Sequence, residues 1–245
     1  MLRPRIIPCL LMRDGGLYKT RQFGNPKYVG DPLNAVKIFN EKEVDELILL
    51  DIGRPAKERP NFRLLEKIAV ESRMPLCYGG GVCRVEQVCR IVNMGFEKVS
   101  VSSAAVREPR LVREFADAVG SQSVVITLDV RYDAKTRTHA VFTENGQVRS
   151  PWEVFELCAE LVAQGAGEIV FNSIDREGVM NGYDLDFAQA AASRINIPLT
   201  FLGGAGEVAH MRALIERVGT VGAAAGSMFV FKGPFRAVLI SYQRP

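Results

Sequence analysis

Pro75-Leu-Cys-Tyr-Gly-Gly-Gly81 returns later in the chain as Pro198-Leu-Thr-Phe-Leu-Gly-Gly204. Glu46-Leu-Ile-Leu-Leu-Asp51 returns in the same way as Glu168-Ile-Val-Phe-Asn-Ser-Ile-Asp175. Both displacements are about half of the 245-residue chain. Each copy is a short aliphatic run closed by glycines or an aspartate, the form of a buried parallel strand with a polar exit. Any two strand-helix units look somewhat alike. Two matches at nearly one displacement argue instead for two similar halves.

Working outward from these four segments, the same pattern fills the chain. Strands are expected at Arg5–Leu11, Glu46–Asp51, Pro75–Tyr78, Lys98–Ser102, Val124–Asp129, Glu168–Asn172, Pro198–Leu202 and Val221–Ala225. Amphipathic helices are expected between them, at Leu33–Val44, Phe62–Ser72, Val85–Met94, Pro109–Val119, Pro151–Gln164, Leu185–Ala192 and Val208–Arg217, with a last one at Pro234–Ser241. Asp31-Pro32 reads as the N-cap and first-turn proline of the first helix. Eight alternations in a chain of this length favour an α/β fold, a closed (β/α)8 TIM barrel with a two-fold half-barrel repeat. The first strand leads into Leu-Met-Arg-Asp-Gly-Gly16, not the Gly-x-Gly-x-x-Gly turn that an open dinucleotide-binding sheet needs. No Ser/Gly/Pro linker divides residues 1–245, so a single domain is expected.

Composition narrows the function classes. The chain carries 31 basic and 28 acidic residues, and no basic cluster, so nucleic acid is not an expected partner. Its apolar runs are too short to span a bilayer, and its start has no signal-peptide core, so a cytoplasmic protein without membrane association is expected. Five cysteines and no export signal point to reduced thiols. Cys77, Cys83 and Cys89 contain no Cys-x-x-Cys pair, and with only His139 and His210 available no metal site is expected, nor any cofactor.

Glycine turns follow two strands in equivalent halves. Gly79-Gly80-Gly81 follows the third, and Gly203-Gly204-Ala205-Gly206 the seventh. Ser102-Ser103 follows the fourth strand and Gly226-Ser227 the eighth. Glycine lets backbone N–H groups close on an anion, and the loops after strands seven and eight are a recurring phosphate site in barrels. Either triplet alone reads as a turn; the pair argues for a ligand with a phosphate at each end. Catalytic groups are expected at strand ends, where Asp51, Asp129 and Asp175 stand. Aligning Ile6–Leu11 with Val124–Asp129 sets Leu11 opposite Asp129, so the repeat offers one facing carboxylate instead of two. Asp14 and Lys19, in the polar loop that follows, could reach inward or simply be solvated.

Arg5-Ile-Ile-Pro-Cys-Leu, Leu49-Leu-Asp-Ile, Gly79-Gly-Gly-Val, Lys98-Val-Ser, Ser173-Ile-Asp-Arg-Glu-Gly, Gly182-Tyr-Asp and Gly203-Gly-Ala-Gly together resemble the HisF family. This is the cyclase subunit of imidazole glycerol phosphate synthase, a (β/α)8 barrel. The resemblance runs over essentially the whole chain. It implies that ammonia from a HisH-like glutaminase enters through the barrel and closes an imidazole ring on a two-phosphate ribonucleotide. It assigns the second catalytic aspartate to Asp129, the loop lysine to Lys19, and phosphate binding to Gly81, Gly178, Gly203 and Gly204. The family's first catalytic aspartate falls on Leu11, its Asn-Thr after strand four on Ser102-Ser103, and its Asp-Gly after strand six on Glu177-Gly178. Asn25–Leu47 and the tail Gly226–Tyr242 are similar to HisF paralogues of surface-polysaccharide loci. There the implied task is amidation of a sugar to an acetamidino group, with a phosphorylated or nucleotide-sugar substrate.

Arg5, Glu46, Lys98 and Glu168 open strands one, two, four and six with alternating sign. A solvated rim is the bland reading. A charged ring closing the barrel bottom is the sharper one, and the resemblance implies an ammonia gate there, with the glutaminase docked on that N-terminal face. Trp152 is expected to anchor the start of the fifth helix, His139 and His210 to lie on the surface, and Arg54–Pro60 to form a solvated loop. Three functions remain open: sugar amidation, imidazole glycerol phosphate formation, and a non-catalytic ammonia channel. A stand-alone sugar-phosphate isomerase would leave the bottom charges unexplained.

Overall fold

The structure is a computed structural model and describes residues 3–53 and 60–245; residues 54–59 of the loop after the second strand lie outside the described residues. Eight strands form the barrel: β1 (Arg5–Arg13), β2 (Leu47–Asp51), β3 (Leu76–Gly79), β4 (Lys98–Val101), β5 (Val124–Asp133), β6 (Glu168–Ser173), β7 (Leu199–Leu202) and β8 (Gly222–Ala225). All neighbours are parallel, and β1 pairs with β8, closing the cylinder. The expected α/β barrel is therefore the observed one.

Side-chain alternation divides each strand between two cores. Ile7, Cys9 and Leu11 of β1, Ile48 of β2, Cys77 of β3, Val125 of β5, Val170 of β6, Leu202 of β7 and Ala224 of β8 fill the interior. The intervening residues join the helices in a larger outer core. Helix boundaries follow local chemistry. Asp31 accepts a hydrogen bond from the Asn34 N–H at 3.0 Å, with Pro32 opening the helix Pro32–Glu41. Asp184 does the same for Leu185–Ala192, accepting from Phe187.

Three local expectations are corrected. The segment expected to be a helix at Pro234–Ser241 is not one. A short helix, Ser227–Val230, leads into paired strands Phe231–Lys232 and Ala237–Val238, and the tail then continues as neither helix nor strand. Gly233 and Arg236 both have positive φ, which bends a turn, and the run Ala-Val-Leu-Ile has no polar face to define a helix. The tail is held by backbone bonds from Leu239 to Val230 and Ser241 to Phe229, and by the Tyr242 hydroxyl donating to the Ile6 carbonyl at 3.0 Å. Second, Pro151 and Trp152 belong to a strand, Val148–Glu153, and the helix begins at Val154, so Trp152 sits part-exposed ahead of it. Third, the polar loop after β1 is a meander. Asp14-Gly15, both at positive φ, turn β1 back into Gly16–Arg21, which pairs with Gly24–Gly30. β5 carries a matching pair, Thr138–Thr143 and Val148–Glu153. The half-barrel repeat thus includes a β extension over the mouth in each half.

Candidate active site

Asp129 occupies the inward position of β5 two residues beyond Thr127, at the C-terminal mouth. Asn172 of β6 stands beside it in register and donates from Nδ2 to Asp129 Oδ1 at 2.8 Å. Burial pushes the Asp129 carboxyl up to about 7, and the Asn172 hydrogen bond, a weaker effect, pulls down. A carboxyl tuned to that range exchanges a proton near neutral pH, the property of a general acid or base. Leu11 lies at the corresponding inward position of β1 and is 8% exposed. Among the described residues, Asp129 faces no second carboxylate from that strand.

Lys19 points inward from the first hairpin. It is 3% exposed, and its Nζ donates to the Cys9 carbonyl at 2.6 Å. Burial lowers its pKa, which brings the ammonium closer to releasing a proton. Gly226 leaves the room this needs, because a Cβ there would collide with Lys19 Nζ. Asp14 is at the exposed tip of the β1 turn, paired with the neighbouring Arg13. Asp51 caps its own turn, accepting from the Gly53 N–H at 2.9 Å; burial raises its pKa, against that bond. Asp175 accepts from the Tyr132 N–H at 2.7 Å and so holds a loop.

The glycine loops differ in character. Gly81 has φ +67 with open space around it, so conformation alone selects glycine there. Gly203 and Gly204 also have positive φ and are pressed against the backbone of Ser173 and Gly182. Gly182 N–H donates to the Gly204 carbonyl at 2.8 Å. Beside them Ser227 is 5% exposed, and its hydroxyl has no partner among the described residues. A buried orphan hydroxyl at a glycine-lined mouth suits an oxygen-rich ligand. In the other half, Ser102 stands at the N-cap position of the short helix Ser103–Arg107 without a side-chain capping bond, and Ser103 accepts from the Glu144 N–H at 3.2 Å.

The first hairpin reaches across the mouth to the loop after β6. Gln22 N–H donates to the Glu177 carbonyl at 2.8 Å, and Phe23 N–H to the Glu177 carboxylate at 3.2 Å. Gly178 permits the contact, since a Cβ there would strike the Thr20 carbonyl. The Phe23 ring meets Gly146 in the turn of the second hairpin. This roof places Lys19 over the interior.

At the opposite end the four charges make a closed square. Arg5 contacts Glu46 at 2.5 Å and Glu168 at 2.7 Å; Lys98 contacts both acids at 2.9 Å. Thr200 adds a hydroxyl bond to Glu168 at 2.6 Å. Burial opposes the Glu168 charge, but Arg5 and Lys98 outweigh it and hold the carboxyl at about 2. Lys98 is raised despite its burial, by Glu168 and Glu46.

Sequence reasoning missed Asn172, Thr200 and the environment of His139. Strand parity could have found the first two, since each is a polar residue at an inward position. His139 is not simply a surface residue. Its Nε2 lies 3.2 Å from Asp184 Oδ2, and its ring packs 4.2 Å from the ring of Phe187. That placement depends on the second hairpin, which strand-helix alternation did not suggest. Among the described residues no His/Cys/Asp/Glu group is arranged to hold a metal, and no helix is long and apolar enough to cross a membrane.

Comparison with known proteins agrees with this geometry. The histidine biosynthesis protein family matches residues 5–236. A Leptospira borgpetersenii protein, provisionally named imidazole glycerol phosphate synthase subunit HisF, is 49% identical over 99% of this chain and 96% of its own length. A Vibrio vulnificus protein, provisionally named as subunit hisF3, is 51% identical over 100% of this chain and 95% of its own. The Geobacillus thermodenitrificans imidazole glycerol phosphate synthase subunit HisF is 36% identical over 95% and 92%. With the barrel closed from β1 to β8 and these likenesses running its length, the chain is a HisF-like member of the histidine biosynthesis protein family.

Proposed function

We propose that this barrel is the ammonia-using subunit of a glutamine amidotransferase complex and that it amidates a sugar destined for a surface polysaccharide. Ammonia comes from a HisH-like glutaminase on the N-terminal face, passes the Arg5–Glu46–Lys98–Glu168 square, and reaches Asp129. Gly81, Ser102 and Ser103 hold one anionic end of a phosphorylated or nucleotide-sugar substrate, and Gly178, Gly203, Gly204, Gly226 and Ser227 the other. Asp51 shapes the first of these loops. Lys19, with its lowered pKa, faces the reacting centre from the roof; Asp14 reaches it only if the β1 turn moves.

Leu11 carries the reading. The HisF resemblance places one of two catalytic carboxylates there, and the structure has a buried leucine. Losing one acid–base group typically costs ~10²–10⁴-fold in rate, so the family's cyclisation is disfavoured while a one-carboxylate reaction is not. The names of the relatives favour a second reading, the cyclase step of histidine biosynthesis. A purely conducting protein is opposed by the perturbed Asp129 and the orphan Ser227 hydroxyl. The test supplies ammonium salt and acetamido nucleotide sugars to the purified chain and follows exchange of oxygen for nitrogen by mass spectrometry. Turnover that disappears in Asp129→Asn supports the proposal; no exchange with any acetamido sugar, beside efficient cyclisation, overturns it.

A further inference from the structure

Asn172 is 5% exposed, and its two polar atoms have different fates. Nδ2 donates to Asp129 Oδ1 at 2.8 Å. Oδ1 is buried and has no hydrogen-bond partner among the described residues. The structure turns the N–H end toward Asp129, the orientation required whenever that carboxylate is ionised and can only accept, and the carbonyl is the end left over. Leaving a buried acceptor unmade is costly, and such groups in folded proteins call for an explanation. The position rules out a packing role for the polar atom. Asn172 lies at the inward face of β6, with Asp129 in register on one side and Leu202 on the other. A leucine, branched at the same carbon, would meet that apolar surround without an orphan.

We propose that Asn172 Oδ1 seats the incoming ammonia beside Asp129, making Asn172 a positioning residue for a nucleophile that adds to a carbonyl carbon of the substrate. This deepens the amidation reading and rests on it for the substrate, though not for the seat. Ammonia donates one N–H to Asn172 Oδ1, which turns its lone pair away from the protein wall. The lone pair forms the new C–N bond, and the carbonyl π pair moves onto oxygen. The extra proton on nitrogen passes to the Asp129 carboxylate, which returns it to the alkoxide. The product is a neutral carbinolamine, and no other reactant is needed. One amide thus serves both partners: its N–H end favours the ionised form of Asp129 against burial, and its carbonyl end receives the nitrogen that Asp129 deprotonates. The same seat serves any carbonyl acceptor, so it selects the nucleophile rather than the sugar.

The test is a carbon-13 NMR titration of the full chain with ammonium chloride, against potassium chloride, at mildly alkaline pH. The side-chain carbonyl of Asn172 and the carboxyl of Asp129 are expected to shift saturably with ammonium only, and the Asp129 response is expected to vanish in Asn172→Leu. The absence of an ammonium-specific shift, or its persistence in Asn172→Leu, overturns the seat. Where ammonia-dependent turnover is present, Asn172→Leu should raise the KM for ammonia about tenfold, with a smaller change in kcat at alkaline pH, where Asp129 is ionised with or without the amide. Asn172→Ser keeps an oxygen acceptor and should stay nearer wild type. An unchanged KM in Asn172→Leu overturns the proposal. Ammonium-specific shifts without turnover on any sugar leave the seat in place and overturn the sugar reading instead. If Asn172→Leu fails to fold, Asn172→Ala, which removes the acceptor with less change of shape, takes its place, and an unchanged KM for ammonia in that variant overturns the proposal.

Discussion

The two ends of the barrel bury carboxylates in opposite ways. At the bottom, Glu168 touches Arg5 and Lys98 and takes a hydroxyl from Thr200, and its carboxyl is held at about 2. At the mouth, Asp129 has one amide and, among the described residues, no cation in contact, and burial pushes it up to about 7. The bottom is satisfied and the mouth is not: both side-chain atoms lacking partners among the described residues, Asn172 Oδ1 and Ser227 Oγ, lie at the C-terminal ends of strands. Paired charge fixes a structure, whereas unpaired polarity stores a cost that a ligand or a reaction can release.

The largest effect that follows is on Asp129. Asp129→Asn should lower ammonia-dependent turnover by ~10²–10⁴-fold. Its effect on stability should have the opposite sign. The folded carboxyl is raised above its unfolded value of 3.8, so its ionisation costs stability increasingly as pH climbs from about 4 through about 7. Above that window Asp129→Asn should be more stable than wild type, by about 2–4 kcal/mol in denaturant melts. A destabilised, active Asp129→Asn would collapse the contrast between the two ends.

Glu168 supplies the mirror image. Its folded carboxyl is depressed from 4.5 to about 2, so the stability it contributes is present above about 4.5 and is lost as pH falls toward about 2. Wild type should lose about 3 kcal/mol from this group across that window, measured by chemical denaturation at each pH. Glu168→Gln should show a shallower slope there, and an equal slope would remove the square from the account.

The barrel was legible because β-strand and helix periods differ and the half-length repeat doubled the signal. The hairpins were not, because Gly16–Arg21 and Gly24–Gly30 are short, hold Gly16, Gly24, Asn25, Pro26 and Gly30, and so read as loop. The tail misled for the opposite reason: Phe235–Ser241 is apolar enough for a helix, but the turn at Gly233–Arg236 and the bonds to Phe229 and Val230 hold it out of one. The four bottom charges could be picked from strand starts, yet the closed pairing needs strands distant in sequence. Asn172 lies within the half-length repeat, but its chemistry depends on the register of β5 with β6, which the sequence does not carry.

Smaller effects sharpen the contrast further. Ser227→Ala should weaken phosphate or sulfate binding at the β7–β8 mouth about tenfold, read by calorimetry, with the anion at Gly81 and Ser103 unaffected. Loss at both sites together would merge what the repeat separates. Glu97 is exposed beside Lys98 on the bottom face. Glu97→Lys should weaken association with a HisH-like glutaminase by a few-fold, chiefly in the on-rate, and unchanged binding kinetics would move the docking face elsewhere.

The most direct measurement restores the missing symmetry. Leu11→Asp places a carboxylate at the inward position of β1 that the repeat sets opposite Asp129, at a stability cost of ~1–3 kcal/mol if it finds no partner. Wild type and Leu11→Asp are given ammonium salt and the two-phosphate ribonucleotide that HisF cyclases use, and imidazole glycerol phosphate is quantified. The account predicts little product from wild type and a clear gain in Leu11→Asp. Efficient cyclisation by wild type would contradict it, because a buried leucine would then be doing no harm where a catalytic carboxylate is required.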